Sequence, residues 1–271
     1  WFRILAAICV LLFIHLLATF IAAKYRLLAA ILFLVPVIFG LRLVSYFIPF
    51  PLNFRQFELF DPSIYGSNIV LRSLGDLLIN SVLFTWIVLF AHYHLQEKNV
   101  LLKNKSHWFK WLVLLLVSIA LLAATFTSGQ VIRSMVADSQ ISFDVINFFT
   151  LTVYSVTGFI VLCCITIGYF LLSQILMYFI QAMYPKNFWG LYLSLAIGGL
   201  IYLTFQLSIA NAGFELFILA WLLLYVFLLN RDYLTLSARK IATSRLIFWL
   251  FFFSVTITSI IVLENGKKEL R

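Results

Sequence analysis

The sequence predicts an all-α integral membrane protein, a helical bundle with about eight transmembrane helices, and three observations carry that prediction. Of its 271 residues 64% are apolar and 11% charged, against roughly 45–50% and about 25% in a water-soluble domain. The apolar residues come in continuous runs of about 20, the length a helix needs to cross roughly 30 Å of hydrocarbon, where barrel strands would alternate. The basic residues fall between the runs, as they do when Lys and Arg are retained in cytoplasmic loops. Disordered and disulfide-framework classes are excluded by the same composition, since only 3 Cys are present. The net charge of +9 does not point to nucleic acid, because the basic residues are not clustered on one solvated face.

The spans follow in order from the uncharged intervals. The first, 4–23, lies between Arg3 and Lys24, and the second, 27–48, is interrupted only by Arg42. The third, 77–96, starts after Asp76 and stops before Glu97, and the fourth, 111–129, starts after Lys110. The uncharged run 145–185 would reach about 62 Å at 1.5 Å per residue, twice the hydrocarbon thickness. Its first third holds Asn147, Thr150, Thr152, Tyr154, Ser155 and Thr157, and it has no Pro before Pro185. One long helix is therefore expected, beginning outside the bilayer and crossing from about Gly158. The remaining spans are 187–209, 214–230 and 246–263. They make one polytopic domain over 1–271. Its ends, at Trp1 and in the charged run from Lys267 to Arg271, read as cuts in a longer chain.

Orientation comes from alternate loops. Lys24, Arg26, Lys98, Lys103, Lys105, Lys110, Lys186, Arg231, Arg239, Lys240 and Arg245 share one side, which is therefore assigned to the cytoplasm. The other side holds fewer, Arg3, Arg42, Arg55, Arg72 and Arg133, with Lys267, Lys268 and Arg271 in the tail. It also holds acids, Glu58, Asp61, Asp76, Asp138, Asp144 and Glu215. Both ends of the chain then lie outside, and the basic inner side suits anionic lipid.

On the outer side, 49–75 reads as a folded extracytoplasmic loop, punctuated by Pro49, Pro51 and Pro62, with Asp61-Pro62 as a turn or helix-start signal. Arg55, Glu58 and Asp61 are either ligand contacts there or parts of an interfacial helix anchored by its aromatics. Arg42 and Asp76 lie near the outer ends of neighbouring spans, with Asn80 one turn deeper, so they form an ion pair or an outward polar pocket that Asp144 and Glu215 could join. Ligand-sensing candidates are therefore Arg42, Arg55, Glu58, Asp61, Asp76, Asn80 and Asp144.

His15, alone in mid-span, reads as a packing residue. His92 and His94 are two apart, on opposite faces of a helix, and cannot share a metal. Adjacent Cys163 and Cys164 read as small apolar filler. No H-E-x-x-H, G-x-S-x-G, Gly-rich phosphate loop or paired intramembrane carboxylate is present. No catalytic residue, cofactor or metal is therefore assigned, and whether a parent chain is an enzyme stays open.

The strings Phe57-Glu58-Leu59-Phe60-Asp61-Pro62-Ser63-Ile64-Tyr65 and Ser73-Leu74-Gly75-Asp76-Leu77-Leu78-Ile79-Asn80 resemble the multi-helix membrane region of Bacteroidetes-type sensor histidine kinases. Ser142-Phe143-Asp144-Val145, Glu264-Asn265 and Lys267-Lys268-Glu269-Leu270 extend the resemblance over nearly the whole chain. It implies a multi-pass sensory input module of two-component signalling in the bacterial inner membrane. The implied partners are membrane lipid, a second copy in a homodimer and downstream kinase domains of the same chain, with no nucleic acid. The sequence departs from a complete kinase in lacking a phosphoacceptor-His region and nucleotide-binding boxes. The alternatives from other classes are a transporter or channel component, which needs a solvated path near Thr166 and Gln206, and a lipid-acting membrane enzyme.

The assigned orientation has a direct check. In a variant freed of native cysteines, Lys103→Cys should react with a membrane-impermeant thiol reagent only after the inner face is opened, whereas Asp61→Cys should react in intact cells. The reverse pattern inverts the topology.

Overall fold

The computed structural model describes residues 2–47, 57–62, 65, 73–96, 106–137, 141, 143, 151–184, 189–205, 212–235 and 243–269. Among these are eight α-helices: α1 (Phe2–Lys24), α2 (Leu27–Phe47), α3 (Leu74–Gln96), α4 (His107–Ala137), α5 (Val153–Met183), α6 (Trp189–Phe205), α7 (Ala212–Thr235) and α8 (Thr243–Glu269). No strand occurs among the described residues. Seven of the helices are long and apolar enough to cross a membrane. The eighth, α6, has 17 described residues, about 25 Å at 1.5 Å each. The protein is thus an all-helical, multi-pass membrane protein.

Its surface confirms which solvent it meets. On α1 and α2, Leu16, Phe20, Leu32 and Phe39 are each more than half exposed, while Ala18, Ala30 and Leu34 are fully buried. Small side chains inside and large apolar ones outside suit helices that must approach closely while their outer faces rest in lipid.

The helices sort into two compact units. The first comprises residues 1–99 and 138–171, and the second 100–137 and 172–271, so α5 contributes to both. In the first unit, α1 and α2 form a hairpin closed by Tyr25 and Arg26, with the Tyr25 N–H bonded to the Ile21 carbonyl. Ile14, Ala18 and Ala22 face Ala30, Leu34 and Ile38 at spacings of four, and Phe90 of α3 completes the cluster. His15 is a packing residue here. Its Nδ1 accepts the indole N–H of Trp86 at 3.3 Å, and its ring lies edge-on to Phe90. Against α5, the Thr85 hydroxyl reaches the Cys164 carbonyl at 2.7 Å. A Cβ added to Gly168 would stand 2.6 Å from the Phe84 ring, so only glycine permits this approach.

In the second unit α4 packs against α6, α7 and α8. Ser118 and Ser194 share a hydrogen bond of 2.6 Å between α4 and α6. Gly129 lets Ile218 approach α4, and Gly199 seats Leu219 against α6. Between α7 and α8, Trp221 stacks on Tyr225 and Phe252 and donates its indole N–H to Thr256.

Helix ends differ from the apolar limits for local reasons. α3 starts at Leu74 because Ser73 caps it. The Ser73 hydroxyl accepts the Asp76 N–H at 3.1 Å and donates to the Asp76 carboxylate at 2.9 Å. α5 is a single unbroken helix, as the absence of proline predicts. It starts at Val153, where Thr152 and Ser155 exchange side chain to backbone bonds in a reciprocal cap. α4 runs past its apolar span, since Ile132, Met135 and Val136 continue a buried face, and α8 runs past its own, with Glu264 buried just beyond it.

Replacing Thr85 by Val removes an interhelical hydrogen bond while keeping the volume. Reversible unfolding in mixed micelles should show a loss of about 0.6 kcal/mol, the usual size for such a bond between membrane helices.

Candidate functional site

In the first unit the polar atoms converge where the C-terminal end of α2 meets the N-terminal end of α3. Arg42 lies on α2 and Asp76 in the first turn of α3, where the helix dipole favours a carboxylate. The Arg42 Nη2 donates to Asp76 Oδ1 at 2.6 Å, and Nε donates to Asn80 Oδ1 at 2.7 Å. Nη1 donates to the Ser45 hydroxyl at 3.2 Å, and that hydroxyl donates to the Arg42 carbonyl at 2.7 Å. Asp76 and Asn80 are four apart, so one helix face presents both acceptors. The ion pair is mostly sequestered, its side chains 11% and 13% exposed. With Ser73 on Asp76 Oδ2, the guanidinium and both carboxylate oxygens are engaged.

The 57–62 segment is fastened beside this network. Glu58–Phe60 forms one 3-10 turn, closed by the Asp61 N–H on the Glu58 carbonyl at 2.9 Å. The Tyr154 hydroxyl of α5 donates to Glu58 Oε2 at 3.0 Å. The Phe60 ring covers Gly75, where any Cβ would stand 2.7 Å from it. Tyr65, 1% exposed, is buried.

The structure therefore brings Arg42, Asp76 and Asn80 into one network and joins Glu58 to α5. Asp61 stands exposed at the end of the turn. It closes this turn and Pro62 continues in a turn, the first of the two readings of Asp61-Pro62. Arg55 and Asp144 lie outside the described residues, as do the parts of 49–75 other than 57–62, 65 and 73–75. Ser45, Ser73 and Tyr154 were missed as members of the site. The Ser-x-x-Asp spacing at 73–76 is the one signal in the sequence that could have found Ser73.

The second unit has its own ion pair, Arg133 to Glu264 at 3.3 Å, and Glu215 belongs to the same unit. At the opposite ends of its helices, Asn230 donates to the Tyr192 hydroxyl, while its own side-chain oxygen is buried without a partner among the described residues. Burial pushes the Tyr184 phenol, one residue past α5, up from its ordinary range. His94 donates from Nδ1 to the Phe90 carbonyl of its own helix at 3.0 Å. Among the described residues no group of three or more His, Cys, Asp or Glu could hold a metal ion.

Compared with protein-family models, with curated proteins and with solved structures, the chain matches none. The site must therefore be read from its own chemistry. Asp76→Ala should cost about 3 kcal/mol in reversible unfolding, because it leaves the guanidinium of a mostly buried pair without its counter-charge. The double replacement Arg42→Leu with Asp76→Leu should recover most of that loss. A double variant no more stable than the single one shows the pair to be negligible.

Proposed function

We propose that this chain is the membrane-embedded input module of a bacterial sensor histidine kinase, reading an envelope state or ligand at its outer face. The observation that carries the reading is the fastening of the 57–61 turn beside Arg42, Asp76 and Asn80. An extracytoplasmic segment is tied by Phe60 to α3 and by Glu58 to α5, next to an ion pair that joins α3 to α2. Anything outside that competes for Glu58 or the Arg42 guanidinium changes how three helix ends are held. A stimulus shifts such an arrangement only by its differential affinity for the fastened and released forms.

Transport receives less support. The mid-span hydroxyls of Ser118, Thr125, Thr166 and Thr256 each donate to a carbonyl one turn back on their own helix. Hydroxyls so engaged stabilise helices in oil and do not line a wet path.

The experiment is a signalling assay in cells expressing the full-length protein, with output from a reporter of its pathway. Tyr154→Phe, which removes only the hydroxyl on Glu58, should shift the basal output several-fold, and Arg42→Ala or Asp76→Ala should lock it at one extreme. Unchanged output and stimulus response in all three variants at wild-type abundance would sink the proposal.

A further inference from the structure

The two parts of α2 are held in different ways. On its N-terminal side Ala30, Leu34 and Ile38 are buried in one cluster with Ile14, Ala18 and Ala22 of α1. Beyond Ile38 no described side chain of α2 is buried: Phe39, Leu41, Leu43 and Val44 are exposed, and Arg42 and Ser45 half-buried. In the antiparallel hairpin this stretch runs alongside the part of α1 before Ile14, where no described side chain is buried either. Among the described residues its side-chain bonds to another helix start from Arg42, which reaches Asp76 of α3 at 2.6 Å and Asn80 at 2.7 Å.

The backbone is soft where the two parts join. Pro36 lies inside α2, with helix on both sides of it. It has no N–H, so the Leu32 carbonyl one turn back loses its helical donor, and such positions are where long helices bend. One turn further on is Gly40, whose backbone is freer than that of any residue with a Cβ. Packing does not call for a glycine here. A Cβ added to Gly40 meets nothing within 4 Å, whereas one added to Gly129 or Gly168 would stand 2.6 Å from a neighbouring side chain. Leu32, Pro36 and Gly40 follow at spacings of four and all are exposed, so the softened stripe faces away from α1 and α3.

We propose that Pro36 and Gly40 form a hinge in α2, about which residues 40–47 swing away from α3 when Arg42 leaves Asp76, while the N-terminal part of the helix stays packed on α1. The Arg42 network is the latch of that hinge. It can open without unpacking the α1–α2 hairpin, because the buried cluster ends at Ile38 and the moving stretch begins after it. The hinge is a property of α2 itself and stands apart from the sensory reading.

The test measures spin-label distances in the whole chain, freed of native cysteines and reconstituted in nanodiscs. One pair of labels, at positions 44 and 82, joins the moving stretch to α3, and a second, at positions 28 and 89, joins the N-terminal part of α2 to α3. The native side chains there, Val44, Val82, Leu28 and Leu89, are all exposed. Eight residues make a lever of about 12 Å, and a bend of about 20° carries its end about 4 Å. Arg42→Gln and Asp76→Asn should each broaden the first distance distribution by about that much and leave the second as in the unsubstituted chain, which also shows that the fold is intact. Adding Pro36→Ala and Gly40→Ala to Arg42→Gln should return the first distribution to one narrow peak. The hinge is overturned by a first distance that stays narrow in both latch variants, or by both distances broadening together, as when the whole helix detaches. Breadth that persists after Pro36 and Gly40 are replaced overturns it as well.

Discussion

A guanidinium and a carboxylate at the margin of a bilayer are tolerable only when each of their polar atoms finds a partner, and the first unit is arranged around that requirement. Arg42 uses three nitrogens on Asp76, Asn80 and Ser45, and Asp76 uses its second oxygen on Ser73. The same serine hydroxyl caps α3. One residue thus sets where the helix begins and completes the coordination of the charge. The glycine at 75, in the first turn of that helix, leaves room for the Phe60 ring to lie on it.

Away from the charged ends the units are held by contacts that lipid cannot provide. Apolar side chains gain little from leaving hydrocarbon for a protein core, so close backbone approach and interhelical hydrogen bonds decide which helices associate. Ala18 and Ala30 in the first unit, and Gly129 and Gly199 in the second, mark those approaches. Ser118 with Ser194, and Ser173 with Tyr225, supply bonds between helices.

Much of this was legible in the sequence, for physical reasons that can be named. Oil-solvated helices advertise themselves by uninterrupted apolar runs, so each of the eight was found, and the unbroken course of α5 followed from the lack of proline. Their ends were less legible. An apolar run records where lipid stops, whereas α4 continues on Ile132, Met135 and Val136, packed against protein. The Arg42, Asp76 and Asn80 grouping was readable from connectivity and four-residue spacing. The partner of Glu58 was not, since Tyr154 is 96 residues away and nothing local pairs them. Asp61-Pro62 was legible only as a turn or a helix start, and the Glu58 carbonyl that accepts the Asp61 N–H makes Asp61 the end of a turn.

The α1–α2 hairpin has a consequence for biosynthesis. Its two helices are joined by Tyr25 and Arg26 alone, seal against each other through alanines, and carry almost no charge along their length. Chains assemble from the N-terminus as they leave the ribosome. This pair can therefore enter the bilayer as a finished wedge before α3 has been translated, and it gives Phe90 a ready-made groove to find when that helix arrives.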